Sequence, residues 1–184
     1  MSNRADQHDE IYVMNANGTG VTRLTKNLPQ QGCNIPCRAE EAPAWSPDAS
    51  KIAFVHRANP FGRDIDVMNA NGSGVTRLTN AGNATKLAWG RTGKIAFDTR
   101  LQPSGGLGDN EIAVVTVNGA MVTWLTNNTA TDLYPAWSPD GSKIAFESDR
   151  TNGNFEIYMM NANGTGVSRL TNNTVFDGEP AWGP

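Results

Sequence analysis

The chain has 184 residues, of which 38% are hydrophobic, and a formal net charge of −3. This length suits one domain with its own core, and 19 glycines with 10 prolines favour many short strands over long helices. A small charge of mixed sign argues against a nucleic acid partner, which requires a basic surface. No apolar run approaches the roughly 20 residues that span a bilayer, and the polar N-terminus lacks the pattern of a signal peptide. Membrane insertion is therefore not expected.

One sequence pattern recurs four times along the chain. It reads EIYVMNANGTGVTRLT from Glu10, DIDVMNANGSGVTRLT from Asp64, EIAVVTVNGAMVTWLT from Glu111 and EIYMMNANGTGVSRLT from Glu156. A variable loop and a tryptophan motif follow each copy, and the four tryptophans are Trp45, Trp89, Trp137 and Trp182. Their spacings of 44, 48 and 45 residues are those of a propeller blade.

Each unit predicts four short antiparallel strands, which we name a (around Ala-Trp), b (KIAF), c (IYVMN) and d (VTRLT). Strands c and d alternate apolar and polar residues and are joined by Asn-Gly turns, a strong hairpin signal. A Pro-Asp-Gly type of turn joins a to b. The expected fold is an all-β propeller of four-stranded blades without helices. The expected units cover about residues 1–43, 44–87, 88–135 and 136–180, with a final strand at 181–184.

The motif PAWSPDGSKIAFESDR followed by EIYMMNANGTGVSRLT resembles the TolB-like branch of the WD-repeat-like propellers, and the resemblance covers Ser2 to Trp182. The third unit departs most, because Gly90-Arg91-Thr92 replaces Ser-Pro-Asp and Trp124 replaces an arginine. The resemblance implies a protein-binding role and a periplasmic or extracellular location. Similar propellers also occur in oligogalacturonate lyases and as gating domains of prolyl peptidases. The chain shows neither the histidine metal ligands of the lyases nor the hydrolase domain of the peptidases.

The number of strands predicts an incomplete blade. Four a, three b, four c and four d strands leave one blade split between the two termini and lacking a strand. Three arrangements remain open: a strained four-bladed ring, association of copies into a larger ring, and a piece of a longer propeller. The unpaired backbone groups beside the gap favour pairing with another chain.

Length variation points to one face of the propeller as the binding surface. The c-to-d spacing is 13 residues in every unit, whereas the b-to-c spacing is 13, 17 and 13 and the d-to-a spacing is 21, 11, 12 and 12. The variable b–c and d–a loops emerge on the same face, and variable loops on a rigid scaffold commonly carry function. We expect residues 26–43 and 98–110 to form most of this surface. The individual binding candidates are Cys33, Asn34, Arg38, Glu40, Glu41, Phe61, Arg63, Gln102, Asp109, Trp124, Tyr134, Phe155 and Phe176. Neutral variation of tolerant surface loops is the alternative.

Other recurring residues are interpreted as structural. The four tryptophans repeat in register and are expected in the core or between blades. Trp124 occupies a position that is arginine elsewhere, so it is either an interface anchor or an edge-packing substitution. An acid before strand c and an arginine in the segment preceding it recur in every unit, which predicts a structural ion pair or a loop clamp. The acids are Glu10, Asp64, Glu111 and Glu156, and the arginines are Arg4, Arg57, Arg100 and Arg150.

Neither catalysis nor a cofactor is predicted. The two histidines, His8 and His56, have no plausible nucleophile near them in sequence, and no metalloprotease, nucleophile-elbow or phosphate-binding motif occurs. The pair Cys33 and Cys37 forms a local disulfide or stays as thiols, and makes a poor zinc site without a nearby histidine. The leading prediction is a non-catalytic scaffold for a protein partner. Glycan or calcium binding by the variable loops stays open as an alternative, as does a lyase or peptidase accessory domain of the propeller type. A piece of a larger propeller, or a self-associating one, with no independent function is the last alternative.

Overall fold

A computed structural model describes residues 9–26, 39–59, 62–80, 83–101, 107–151 and 153–183. These residues form fourteen strands and no helix, which agrees with the all-β fold that the sequence predicts. Within the described part of the chain there is consequently no helix long and apolar enough to cross a membrane. The strands are β1 (Tyr12–Val13), β2 (Thr22–Arg23), β3 (Ala39–Trp45), β4 (Lys51–Asn59), β5 (Gly62–Asn69), β6 (Thr76–Arg77), β7 (Ala84–Trp89), β8 (Lys94–Leu101), β9 (Leu107–Thr116), β10 (Gly119–Trp124), β11 (Asp132–Trp137), β12 (Lys143–Ser148), β13 (Glu156–Asn161) and β14 (Ser168–Arg169).

The strands build three complete propeller blades and one strand pair. Blade 1 is β3-β4-β5-β6, blade 2 is β7-β8-β9-β10 and blade 3 is β11-β12-β13-β14, each a four-stranded sheet in chain order. Every neighbouring pair of strands is antiparallel, so each blade is the meander that the a–b–c–d pattern predicts. The pair β1–β2 supplies the c and d strands of the first unit.

Apolar side chains pack between successive blades rather than inside one. In β8, Ile95 and Phe97 face blade 1, while Ala96 between them faces blade 3. This follows from the alternation of side chains along a strand, which gives a central sheet two apolar faces. Three clusters result, between β1–β2 and blade 1, between blades 1 and 2, and between blades 2 and 3. Phe54, Phe97 and Phe146 lie almost fully buried, one in each cluster.

Contacts between strands of different sheets link only sheets that follow one another in the chain, and none joins β1–β2 to blade 3. The segment after blade 3 packs back on that blade: Trp182 Nε1 donates to the Ala136 carbonyl at 2.9 Å, and the Asp177 amide donates to the Phe155 carbonyl at 3.0 Å. The described residues therefore form an arc of blades and not a closed four-bladed ring. Residues 181–183 form no strand, although the sequence predicts one there, because none of the described strands pairs with them.

Candidate functional site

The variable connections lie on one side of the blades. Neighbouring strands in each sheet are antiparallel. The end of strand b and the start of strand c therefore lie on one side of the sheet, together with the start of strand a and the end of strand d. We call this side, with its b–c and d–a connections, the loop face. The a–b and c–d turns lie on the opposite side, which we call the turn face. Five predicted binding residues, Cys33, Asn34, Arg38, Phe61 and Gln102, fall outside the described residues.

On blade 1 the predicted residues of the loop face engage one another. Glu41 contacts Arg57, and its other carboxylate oxygen lies 3.9 Å from the guanidinium of Arg63. Glu40 is buried, and both of its carboxylate oxygens lie 3.0 Å from Nδ1 of His56. The hydrogen bond to Glu40 raises the pKa of His56, partly opposed by burial of the imidazole. These charges largely neutralise each other within the blade.

The first strands of blades 2 and 3, β7 and β11, contact each other through a lysine and a tyrosine. Lys86 Nζ lies 5.4 Å from the centre of the Tyr134 ring, which is a cation–π contact. Tyr134 has a positive φ of 53° at a break in the register between β11 and β12. Burial and the nearby negative charges, chiefly that of Glu147, raise the pKa of the Tyr134 hydroxyl. Tyr134 is half-buried near the start of β11, at the end of that strand nearer the loop face.

Two buried acids lie behind this contact. Asp98 accepts hydrogen bonds from the Lys86 amide at 3.0 Å and from Asn110 Nδ2 at 3.2 Å, and it also contacts the Thr85 hydroxyl. Glu147 accepts a hydrogen bond from the Glu179 amide at 2.8 Å. Burial raises the pKa of both acids, and the hydrogen bonds partly offset it. Asp98 thereby ties β7 to β8, and Glu147 ties the segment after blade 3 to β12.

Beyond blade 3 the loop face carries exposed apolar side chains. The rings of Phe155 and Phe176 meet edge to face with their centres 5.9 Å apart, and Phe176 is 63% exposed. Asn154 Nδ2 donates to the Val175 carbonyl at 2.7 Å, which ties the b–c loop of blade 3 to the segment that follows the blade. The structure thus brings Phe155 and Phe176 together, while Asp109 lies exposed on blade 2.

The ion pairs predicted between each acid and the preceding arginine are wrong for the described units. The acids instead meet the arginine of strand d: Glu10 with Arg23 and Glu156 with Arg169 at 2.7 Å, and Asp64 with Arg77 at 3.5 Å. Strand register explains this difference, because Arg57 lies directly opposite Arg63 and so points to the other face from Asp64. Arg150 bonds Asp132 at 2.8 Å, and Arg100 donates to the Gly108 carbonyl at 3.2 Å. Arg4 falls outside the described residues.

Trp124 changes this contact in blade 2. Its side chain is half-buried against the cluster between blades 1 and 2. Glu111, at the position of Glu156, instead accepts hydrogen bonds from the Asn128 amide at 2.6 Å and from its side chain at 3.3 Å. Burial raises the pKa of Glu111. A role for Trp124 as an interface anchor stays a prediction.

The four tryptophans, which are expected in the core or between blades, are not equally buried. Trp137 is buried against Gly90, where an added Cβ would lie 2.8 Å from its ring, and Trp89 packs on the cluster between blades 1 and 2. Trp45 is 47% exposed and Trp182 is 38% exposed. No a–b turn of a preceding blade stands against Trp45 within the described residues, whereas Trp137 has the turn at Gly90.

Sequence reasoning missed several of the polar residues in the site. Lys86, Glu147 and Glu179 were not among the candidates, and Asp98 was included only as the first residue of the range 98–110. The available signal is the repeat itself: Asp98 and Glu147 stand where blade 1 has Val55, and Lys86 and Glu179 stand three residues before a tryptophan. No group of three or more His, Cys, Asp or Glu side chains in the described residues is arranged to hold a metal ion.

Comparison with known proteins agrees with this architecture. The TolB beta propeller domain family matches residues 99–184. A TolB homolog of Chlorobium luteolum is 28% identical over 82% of the chain, and one of Chlorobium chlorochromatii is 31% identical over 77% of it. The chain spans only 31% and 29% of these relatives' lengths. The crystal structure of TolB from Acinetobacter baumannii shares the fold, with a TM-score of 0.73 and 20% identity over 92% of this chain and 39% of that one. The chain thus resembles the TolB-like β-propeller repeat family in sequence and shares its fold.

Proposed function

We propose that the chain is a non-catalytic scaffold that binds a protein partner through its loop face. The observation that carries this proposal is that every length difference of more than one residue falls in the b–c and d–a connections, which the antiparallel meander places on one side. The turn face keeps nearly constant lengths in every unit. A rigid scaffold with variable loops on one face is the usual arrangement for recognition.

The side chains of the loop face suit a protein partner. Phe176 offers an exposed aromatic ring, and Tyr134 and Lys86 offer a phenol and an ammonium group that contact each other. Aromatic side chains supply much of the binding energy at protein interfaces. Exposed acids at Asp109 and Glu179 favour a partner surface that carries basic side chains. The TolB-like resemblance also implies a protein-binding role.

The test places a photoreactive amino acid at position 176 and, in a matched control, at position 14. Phe176 is 63% exposed on the loop face, and Met14 is 62% exposed beside a c–d turn on the turn face. Crosslinking in the producing cell is expected to yield a discrete protein adduct from position 176 and none from position 14. A Tyr134→Ala substitution in the same chain should reduce that adduct about tenfold, as loss of an interface anchor does. The same adducts from both positions would contradict the proposal.

A further inference from the structure

The outer strand of blade 2 differs from the outer strands of the other units. β10 (Gly119–Trp124) has six residues, whereas β2, β6 and β14 have two each. All four occupy the same place in the repeat, because the spacing from strand c to strand d is constant. β10 lies at the end of its sheet, and no strand within the described residues pairs with its outer side.

A change in the c–d turn accounts for the longer strand. The other three units have the turn Asn-Ala-Asn-Gly-Thr/Ser-Gly, whose last glycine has a positive φ of 66° or 67°. The first asparagine of the turn donates from its side chain to the hydroxyl four residues later, at 2.9 to 3.1 Å. Blade 2 has Thr116 in place of the first asparagine and Met121 in place of the last glycine. A methionine disfavours the left-handed conformation, so the chain extends and strand pairing begins at Gly119.

The backbone of β10 presents hydrogen-bonding groups on its outer side. The Leu125 amide donates inward to the Ile112 carbonyl at 2.8 Å. Since inward and outward backbone groups alternate along an antiparallel strand, Thr123 also bonds inward and Val122 directs its N–H and C=O away from the sheet. Met121, next to Val122, is 80% exposed. The strand therefore ends the sheet with an edge open to pairing.

This edge lacks the features that protect outer strands. Natural edge strands are kept from pairing by shortness, by charged side chains or by proline. β2, β6 and β14 are short, and each contains an arginine. β10, with the sequence GAMVTW, is longer and has neither a charge nor a proline. An edge of this kind is suited to receive another strand.

An apolar groove runs beside the edge. It has a volume of about 340 Å³ and lies between blade 2 and the c–d turn of blade 3. Val114, Leu125 and Ala162 contribute its apolar lining, and Met121 and Thr123 of β10 border it. A strand added to β10 would bring alternate side chains to the mouth of this groove.

We propose that two copies of the chain pair through β10, antiparallel about Val122, and join their two blades into one continuous sheet. In this register Val122 meets Val122 of the second copy, and the two residues exchange both backbone hydrogen bonds. Met121 lies opposite Thr123 of the second copy, on the groove side. A second copy suits this edge because β10 is uncharged, so pairing with itself sets no like charges opposite one another.

The first test replaces residues 116–121, TVNGAM, with NANGTG taken from residues 161–166 of blade 3. The two segments have equal length, and the grafted turn already folds in the other three units. Light scattering behind a sizing column, over a range of concentrations, is expected to give about twice the chain mass of 19.7 kDa for the wild type and one chain mass for the graft. A circular dichroism spectrum checks that the graft is folded. A dimer that persists in the folded graft overturns the proposal, because pairing then uses another surface.

The second test adds a charge to the edge without touching the core. Met121→Lys places an ammonium group on each copy, on the same face of the joined sheet, and should weaken dimerisation at least tenfold. Met14→Lys is the matched control, because Met14 is similarly exposed beside another c–d turn. Equal weakening by both substitutions overturns the proposal. A wild type that is monomeric at every concentration also overturns it, and leaves an extended strand of another protein as the occupant of the edge.

Discussion

The pKa of the acid before strand c is shifted in opposite directions in blades 2 and 3. Glu156 accepts hydrogen bonds from the Thr171 hydroxyl at 2.6 Å, Arg169 at 2.7 Å and the Asn173 amide at 3.0 Å. These bonds, first that of Thr171, hold the pKa of Glu156 at about 2. In blade 2, where Trp124 replaces the arginine, burial raises the pKa of Glu111. Glu156 is thus a carboxylate stabilised by its hydrogen bonds, whereas Glu111 is a carboxylate destabilised by burial.

This contrast predicts a pH-dependent effect of removing the Glu156 charge. Because the folded-state pKa of about 2 lies below the usual 4.5, the ionised group stabilises the fold above pH 4.5, and this contribution is lost as the pH falls towards 2. Glu156→Gln should therefore lower the melting temperature at pH 7 and have little effect near pH 2. Glu111→Gln is the control: its pKa is raised, so its neutral substitute should not lower the melting temperature at pH 7. Thermal unfolding from pH 2 to 7 measures both, and equal losses at pH 7 would refute the assignment.

At the scale of the element, the a–b turns of blades 1 and 3 share one network of hydrogen bonds. Ser46 Oγ donates to Asp48 at 2.6 Å, and the Lys51 amide donates back to Ser46 Oγ at 2.9 Å. Blade 3 repeats these bonds with Ser138, Asp140 and Lys143. Hydrogen bonds from the serines hold the pKa of both aspartates at about 2. One position differs: Ala49 has a positive φ of 56°, where blade 3 has Gly141 at 72°.

Ala49→Gly should therefore stabilise the chain. A left-handed alanine costs about 1–2 kcal/mol, and the greater freedom of glycine in the unfolded state offsets about 0.4–1 kcal/mol of this. We expect a gain of about 0.5–1 kcal/mol in the free energy of unfolding, measured by chemical denaturation. Gly141→Ala is the matched reverse change and should cost at least as much, because its new Cβ would also lie 3.3 Å from Thr92. A loss of stability in Ala49→Gly would contradict this account of the turn.

At the scale of the whole molecule, the buried apolar residues are divided among the interfaces between successive sheets. The cluster that holds β1–β2 to blade 1 contains four buried residues, whereas the clusters on the two sides of blade 2 contain ten and eight. Proteins in which each repeat contacts only its neighbours unfold in parts, with the most weakly attached repeat first. The pair β1–β2 is thus expected to open before blades 2 and 3.

Phe54→Ala tests this order. Phe54 is 1% exposed in the cluster that binds β1–β2, and its truncation should cost about 3–5 kcal/mol at that interface. Hydrogen exchange should then show faster exchange of the Leu24 amide, which bonds the Ile11 carbonyl, with little change at the equivalent Leu125 amide of blade 2. Phe97→Ala, between blades 1 and 2, is the control and should raise exchange in both of those blades. Uniform loss of protection in Phe54→Ala would show that the chain unfolds as one unit.

Repetition is the reason that the sequence predicts most of this fold. The period places Trp45, Trp89 and Trp137 at the same point of successive blades, and constant c-to-d spacings predict the hairpins. The loop face follows from the same count, since four antiparallel strands in chain order allow only one placement of the b–c and d–a loops.

The ion pairs, the contact between blades 2 and 3 and the length of β10 do not follow from repetition. They depend on which face of a strand a side chain occupies and on which residue lies opposite it. Arg57 and Asp64 are close in sequence yet point to opposite faces, so spacing alone suggests the wrong ion pair. The contact between Lys86 and Tyr134 joins two blades through one repeat position, three residues before the tryptophan, where the residue type differs from unit to unit. The length of β10 depends on the backbone conformation at Met121, which the constant spacing conceals. Binding by the loop-face residues stays a prediction.

The contact of each blade with its neighbours alone has an evolutionary consequence. The segments EIYVMNANGTGVTRLT and EIYMMNANGTGVSRLT differ at only two positions, so duplication or loss of a whole unit is the simplest route by which such a chain changes its length. After the gain or loss of a unit, the two blades that become neighbours would still meet through the same kinds of apolar face, because every interface uses the same strand positions. Such a gene is able to change its number of blades in one event without first evolving a new interface.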